Sequence, residues 1–290
     1  MTAYAFGVLT LMVVTVIACA IPGAFLVTSR QSMLVDAMSH AALPGIVLAA
    51  LVWPIGSPML TVGATAMALV VVFAAQAVTA SGIVPKDAAQ GLLFPGLFSI
   101  GVVLLSTHFS HLHLHEDAVL VGDPNIVAVI PLEIGSFQLG PSYAWVMAGV
   151  ALVNAVFVAV THRQLALVVF DEHYAKTLGI PVTRLKASAM VLVALTLTAA
   201  FHAAGAVLVI AFVVVPAAIA VLFAQSFART VIYSVLIGVA VVIPSFFATY
   251  WGNRPTSSWT AFVLGAVFVL SVAFQHIRSR RTRTRLRQAA

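Results

Sequence analysis

Arg30-Gln-Ser-Met-Leu-Val-Asp36-Ala-Met-Ser-His40-Ala-Ala-Leu-Pro44-Gly45 sets a carboxylate and an imidazole four residues apart, at the head of a run from Ala37 to Pro85 that contains no Asp, Glu, Lys or Arg. An uncharged run of that length is the mark of hydrocarbon-spanning helices, which need about 20 apolar residues each. An ionisable pair inside such a run is costly unless it faces a polar pathway. Spacing of i, i+4 puts both side chains on one helix face, where an Asp oxygen and a His nitrogen could together hold a divalent cation. The competing reading has Asp36 capping the helix or pairing with Arg30, and His40 hydrogen-bonded in the core. Ser39 beside the pair and Pro44-Gly45 one turn later favour the pathway. The Pro-Gly step is expected to kink or unwind the helix just past His40, as tolerated where a membrane helix lines a cavity.

The rest of the chain extends this pattern. Of its 290 residues 62% are hydrophobic and 8% charged, with a mean hydropathy of +1.12. Soluble domains carry roughly a quarter of their residues as charges. The expected fold class is all-α, a polytopic helical membrane protein, because barrel strands would alternate over roughly ten residues. Apolar spans run from about Tyr4 to Val27, Gln31 to Trp53, Pro58 to Ala80, Ala88 to Thr107 and Tyr143 to Val160. Two more fill the uncharged stretch from Ala187 to Ala228, with a turn around His202-Ala-Ala-Gly205 and a second expected kink at Pro216. Thr230 to Tyr250 and Trp259 to Ile277 complete nine spans, or eight if one of the pair near His202 is re-entrant. Arg163 to Lys186 is read as a connecting segment with a helical, mixed-charge middle.

Residues 1–277 thus form one membrane domain, and 278–290 a basic tail holding six of the fourteen basic residues. Such a juxtamembrane cluster marks the cytoplasmic side and can touch anionic membrane lipid; it does not point to nucleic acid, despite a net charge of +6. With Arg30, Lys86, the Arg163–Lys186 segment and Arg229 on the same side as the tail, the N-terminus is expected outside and the C-terminus in the cytoplasm. No basic segment precedes the first apolar run, which is expected to stay as a membrane helix rather than be cleaved. The single cysteine, Cys19, excludes an internal disulfide and a cysteine-rich metal site.

Of eight acidic residues only Asp36 falls within an apolar span. A second candidate lies in the long polar insertion before the fifth span: His108, His111, His113, His115, Glu116 and Asp117, a possible outer capture loop for an ion such as zinc, or a solvated loop with adventitious metal affinity. Alternating His111, His113 and His115 would share one side of an extended segment. His202 is a possible third ligand or an ordinary hydrogen-bonded histidine. His162, His173 and His276 fall at cytoplasmic borders and need no role. There is no Walker A loop, so the chain is not expected to be an enzyme; any ATP hydrolysis belongs to a partner.

Four further stretches bear on identity: Lys86-Asp87-Ala-Ala-Gln-Gly91; Phe170-Asp171-Glu-His-Tyr-Ala-Lys-Thr-Leu-Gly179-Ile; Gly205-Ala-Val-Leu-Val-Ile-Ala-Phe-Val-Val-Val-Pro216-Ala-Ala; and Val121-Gly122-Asp123. With the Arg30–Gly45 stretch, in this order, the chain resembles the zinc/manganese ABC-type permeases, the ABC-3 family of bacterial metal importers. That resemblance implies a permease in the bacterial cytoplasmic membrane that works with a second copy of itself, a cytoplasmic ABC ATPase dimer and an extracytoplasmic metal-binding protein. It implies that Asp36 and His40 sit at the metal position of the translocation pathway. It further implies that Asp171-Glu172-His173-Tyr174-Ala175-Lys176-Thr177-Leu178-Gly179-Ile180-Pro181 docks on the ATPase as the coupling helix. No cofactor is expected to be permanently bound; Zn2+ or Mn2+ is the cargo, with zinc favoured by the imidazole count. The rival readings are a permease for a chelated metal or a cofactor of the siderophore or cobalamin type, and a secondary transporter in which Asp36 carries a coupling proton.

Overall fold

The computed structural model describes residues 3–54, 57–109, 123–134 and 137–289. In chain order they form α1 (Ala3–Thr28), α2 (Met33–Ala50), α3 (Met59–Ala80), α4 (Lys86–His108), α5 (Pro124–Val127), β1 (Pro131–Ile134), β2 (Phe137–Pro141), α6 (Ser142–Phe170), α7 (Glu172–Thr177), α8 (Val182–Ala204), α9 (Ala206–Phe223), α10 (Phe227–Gly252) and α11 (Thr256–Ala289). Among the described residues nine helices are long and apolar enough to cross a membrane: α1–α4, α6 and α8–α11. The all-α membrane architecture is therefore as expected, apart from one antiparallel hairpin pairing Pro131 with Pro141.

Membrane helices have little hydrophobic incentive to associate, so close approach depends on small residues and a few polar links. α1 is the hub, packed against α6, α8, α9 and α10. At Gly23 its backbone lies so near α9 that a Cβ would fall 2.1 Å from the carbonyl oxygen of Val213. α2, α3 and α4 make a second group, joined to the first largely through α8. Polar links follow α8: Thr198 shares a 2.8 Å hydrogen bond with Thr65 of α3, while the Asn154 amide of α6 donates to Thr196 Oγ1 at 2.7 Å and to the Ala18 carbonyl at 3.1 Å.

The structure narrows two expectations and corrects a third. Of the kink or unwinding expected at Pro44-Gly45, unwinding does not occur, and α9, where a kink was expected at Pro216, is likewise continuous; both helices run through their prolines. The Pro-Gly step instead allows packing: a Cβ on Gly45 would lie 2.4 Å from the Gly63 carbonyl oxygen of α3, and one on Gly101 of α4 would lie 2.9 Å from Pro44. Around His202 the nine-span alternative holds: the region is two separate helices, because Gly205 at φ +80 breaks the chain in a single residue without steric penalty. Finally, the connecting segment is much shorter than Arg163–Lys186. α6 continues to Phe170, held by buried Leu165 and Val168, and α8 begins at Val182, leaving 171–181 between them. The basic residues from Arg278 onward continue α11 to Ala289 without a helix break.

Candidate metal site and coupling segment

Asp36 lies in the first turn of α2, where the helix dipole favours a negative charge. One turn on, His40 Nε2 stands 3.5 Å from Asp36 Oδ1, and the two side chains are 37% and 42% exposed for His40 and Asp36 respectively. That exposure, on a helix otherwise largely buried, makes both groups accessible from outside this chain's own packing. The contacts of the competing reading are not found among the described residues. Among the described residues Arg30 forms no ion pair with Asp36, and Ser32 rather than Asp36 occupies the helix cap. Nor is His40 hydrogen-bonded in a core. Its imidazole is oriented by α4, stacked on Phe94 (centroids 5.3 Å apart, planes 20°) and met edge-on by Phe98 (5.3 Å, 81°). Ser39 returns its hydroxyl to the Val35 carbonyl at 2.7 Å and takes no part in the site.

The other candidates are not brought to this pair. His108 ends α4, exposed, with Nδ1 2.9 Å from Thr107 Oγ1. His111, His113, His115, Glu116, Asp117 and Val121-Gly122 lie outside the described residues. Asp123 caps α5, accepting from the Asn125 amide at 2.9 Å. His202 is exposed in the last turn of α8, its ring 4.7 Å from that of Tyr143. Among the described residues no group of three or more His, Cys, Asp or Glu converges to hold a metal. The described residues of one chain thus bring together two candidate ligands, whereas zinc takes four.

The segment between α6 and α8 folds for local reasons. Asp171 caps α7 by accepting from the Tyr174 amide at 2.9 Å. Gly179 at φ +76 ends it, with Gly179 N–H donating to Lys176 O at 3.0 Å and Ile180 N–H to Ala175 O at 3.1 Å, the paired bonds of a Schellman motif that only glycine accommodates readily. Ala175 is fully buried under α7, while Phe170, Tyr174 and Leu178 are exposed at four-residue intervals. Glu172 accepts from Lys186 of α8 and pairs with Lys176 at 3.0 Å, which holds its carboxyl below the ordinary 4.5. A depressed carboxyl stabilises the folded form fully above 4.5 and loses that contribution as pH falls through the lower folded value. Protection of amides 171–180 in hydrogen exchange is thus expected to fall below about pH 4.5 in the wild type, and to lose that pH dependence in Glu172→Gln.

Two residues not singled out from the sequence face a cavity of about 340 Å³ beside this segment, also lined by Gln76, Thr79, Glu172 and Lys186. Gln31 and Gln90 are 95% and 98% buried, and among the described residues their Oε1 atoms have no hydrogen-bond partner. A buried acceptor without a partner costs about 1–3 kcal/mol, and a cavity of this size has room for water beside these acceptors. Gln90, Phe94 and Phe98 fall on one stripe of α4, so the helix that orients His40 also walls this cavity.

A nine-helix membrane bundle carrying an accessible carboxylate–imidazole pair and a capped helix with an apolar outer row has the parts of a transport subunit. The model of the ABC 3 transport family matches residues 1–275, and the chain belongs to that family. It is 35% identical to the manganese transport system membrane protein MntD of Bacillus subtilis over 89% of this chain and 88% of that one. It is 36% identical to the zinc transport system membrane protein TroD of Treponema pallidum over 72% and 57%, and 29% identical to the chelated iron transport system membrane protein YfeD of Yersinia pestis over 92% and 84%. Among solved structures, PsaBC from Streptococcus pneumoniae in complex with Fab has the same fold, with a TM-score of 0.74 at 24% identity, covering 93% of this chain and 91% of that one.

Proposed function

We propose that this chain is the membrane permease of an ATP-driven importer for a divalent transition metal, with zinc favoured over manganese. The observation that carries the reading is the Asp36–His40 pair, separated by 3.5 Å and more than a third exposed on a membrane-spanning helix. The pair supplies one oxygen and one nitrogen, so a second copy related by a two-fold axis would complete four ligands at a shared site. A mixed N/O set suits zinc, and a site of few ligands allows release, which transport requires. Family membership supports an ABC partner ATPase and an extracytoplasmic binding protein; α7, which carries exposed Tyr174 and is flanked by exposed Phe170 and Leu178, is the segment we assign to ATPase docking. The N-terminus lies outside and the C-terminus in the cytoplasm in this reading, which places α7 on the cytoplasmic side. The relatives' names support metal cargo and span manganese, zinc and chelated iron, so a chelated-iron permease is the competing reading.

The test is uptake into proteoliposomes holding the permease with its ATPase and binding protein. Zinc accumulation that needs ATP, stops with vanadate and exceeds manganese accumulation at equal concentration is the expected result. Uptake that follows a proton gradient without ATP would assign the chain to secondary transport, and uptake of an iron chelate alone would move the cargo to chelated metal.

A further inference from the structure

A groove on the membrane-facing side of the bundle is independent of the metal pair. It is open, about 700 Å³, and lined by Leu152, Val153, Val156 and Phe157 of α6 and by Ser188, Val191 and Leu192 of α8. Six of its seven lining residues are apolar, as expected of a surface that meets hydrocarbon. Its end nearest α7 is different. Arg163 lies two helical turns beyond Val156, and Arg184 one turn before Ser188, each continuing the face that lines the groove. Both arginines are exposed, and among the described residues neither has an ion-pair partner.

The two arginines also lie toward the same end of the bundle. Arg163 is about 32 Å along α6 from its start at Ser142, and Arg184 about 30 Å along α8 from its end at Ala204, at 1.5 Å per residue. A hydrocarbon core of about 30 Å therefore puts both side chains at the level of the phosphates of the same leaflet. Apolar walls below and two arginines above match a phospholipid end to end. Arginine forks bind phosphate oxygens bidentately, and basic pockets between membrane helices on the cytoplasmic side take anionic lipids.

We propose that the α6–α8 groove is a specific site for an anionic phospholipid, its acyl chains along Val153, Val156 and Leu192 and its phosphate between Arg163 and Arg184. The bound lipid bridges the two helices that carry α7, so it braces the arms of that segment, and it is separate from any contact made by the basic tail.

Full-length permease purified in detergent and supplied with equal phosphatidylglycerol and phosphatidylcholine provides the test, with retained lipid counted by native mass spectrometry. Each basic residue near an anionic surface contributes on the order of fivefold in affinity, so Arg163→Gln with Arg184→Gln is expected to lower retained phosphatidylglycerol about tenfold or more and to leave phosphatidylcholine unchanged. Val156→Trp, which fills the groove, is expected to lower it too, whereas Arg280→Gln with Arg281→Gln in the tail is not. In the wild type, phosphatidylglycerol bearing a photoreactive acyl chain is expected to cross-link to Val153, Val156 or Leu192. Equal retention of the two lipids, an equal loss in the tail variant, or cross-links spread over the bundle would overturn the proposal. So would a change of oligomeric state in Val156→Trp without loss of lipid, which would give the groove to a second copy.

Discussion

Asp36→Asn and His40→Phe are each expected to lower ATP-driven metal uptake by at least about tenfold while leaving the protein folded in the membrane. Loss of even the outer partners of metal ligands typically costs 10–100-fold, and in the proposed site each chain supplies just two ligands, so a symmetric pair of chains loses both anionic oxygens with Asp36→Asn and both nitrogens with His40→Phe. The substitutions separate ligation from packing. Asp36 is 42% exposed and contributes little to the bundle, and Asn keeps its shape while removing the charge that attracts the cation. Phenylalanine at position 40 preserves an aromatic ring against Phe94 and Phe98 and removes the nitrogen. Uptake measured with metal at saturating and limiting concentrations would show the loss chiefly as weaker apparent affinity. Wild-type accumulation by both variants would remove the pair from the transport pathway.

Gly23→Ala has the largest expected effect on folding. The added methyl carbon would stand 2.1 Å from the carbonyl oxygen of Val213 and 2.9 Å from its carbon, and neither is a flexible side chain that can turn aside. α1 and α9 would have to separate along much of their contact, opening the hub that also holds α6, α8 and α10. Overpacking in well-packed cores costs roughly 1–3 kcal/mol and more where the backbone must move; here the upper end or beyond is expected, seen as a lowered melting temperature and reduced recovery of monodisperse protein. Gly149→Ala is the matching control. It introduces the same methyl on α6 with nothing within 4 Å, and exchanging glycine for alanine in a helix contributes up to about 1 kcal/mol in favour of the helix. If Gly23→Ala melts with the Gly149 variant, the close approach of α1 and α9 is not what holds the hub.

What was legible beforehand divides along physical lines. Hydropathy reports where hydrocarbon ends, so the nine spans and the isolation of Asp36 were readable from charge-free runs. Helix ends set by tertiary contact were not: nothing local to residues 161–170 says that Leu165 and Val168 will be buried and carry α6 another ten residues. Pro44-Gly45 was read by its backbone chemistry as a break, yet what a glycine permits depends on which backbone lies opposite, and Gly63 and Gly101 are contacts between helices. The same limit hid Phe94 and Phe98, two ordinary apolar residues until α4 is laid against α2, and Gln31 and Gln90, whose buried acceptors matter because of the cavity they share. His40 and Asp36 could be paired from spacing alone because both lie on one helix.

The overrun of α6 has a mechanical consequence. Its 29 residues make a rod of about 43 Å, some 13 Å longer than the hydrocarbon it crosses, with α7 fixed to the far tip through the Asp171 cap. A tilt of ten degrees about the midpoint of such a rod displaces its tip by about 4 Å. With α7 seated on an ATPase as proposed, a modest rotation among packed helices and a several-ångström stroke outside the bilayer are one event measured at two radii. The lever ratio is then set by how much helix stands clear of the hydrocarbon, so shortening or lengthening α6 by whole turns beyond Arg163 would change the stroke without touching the pathway.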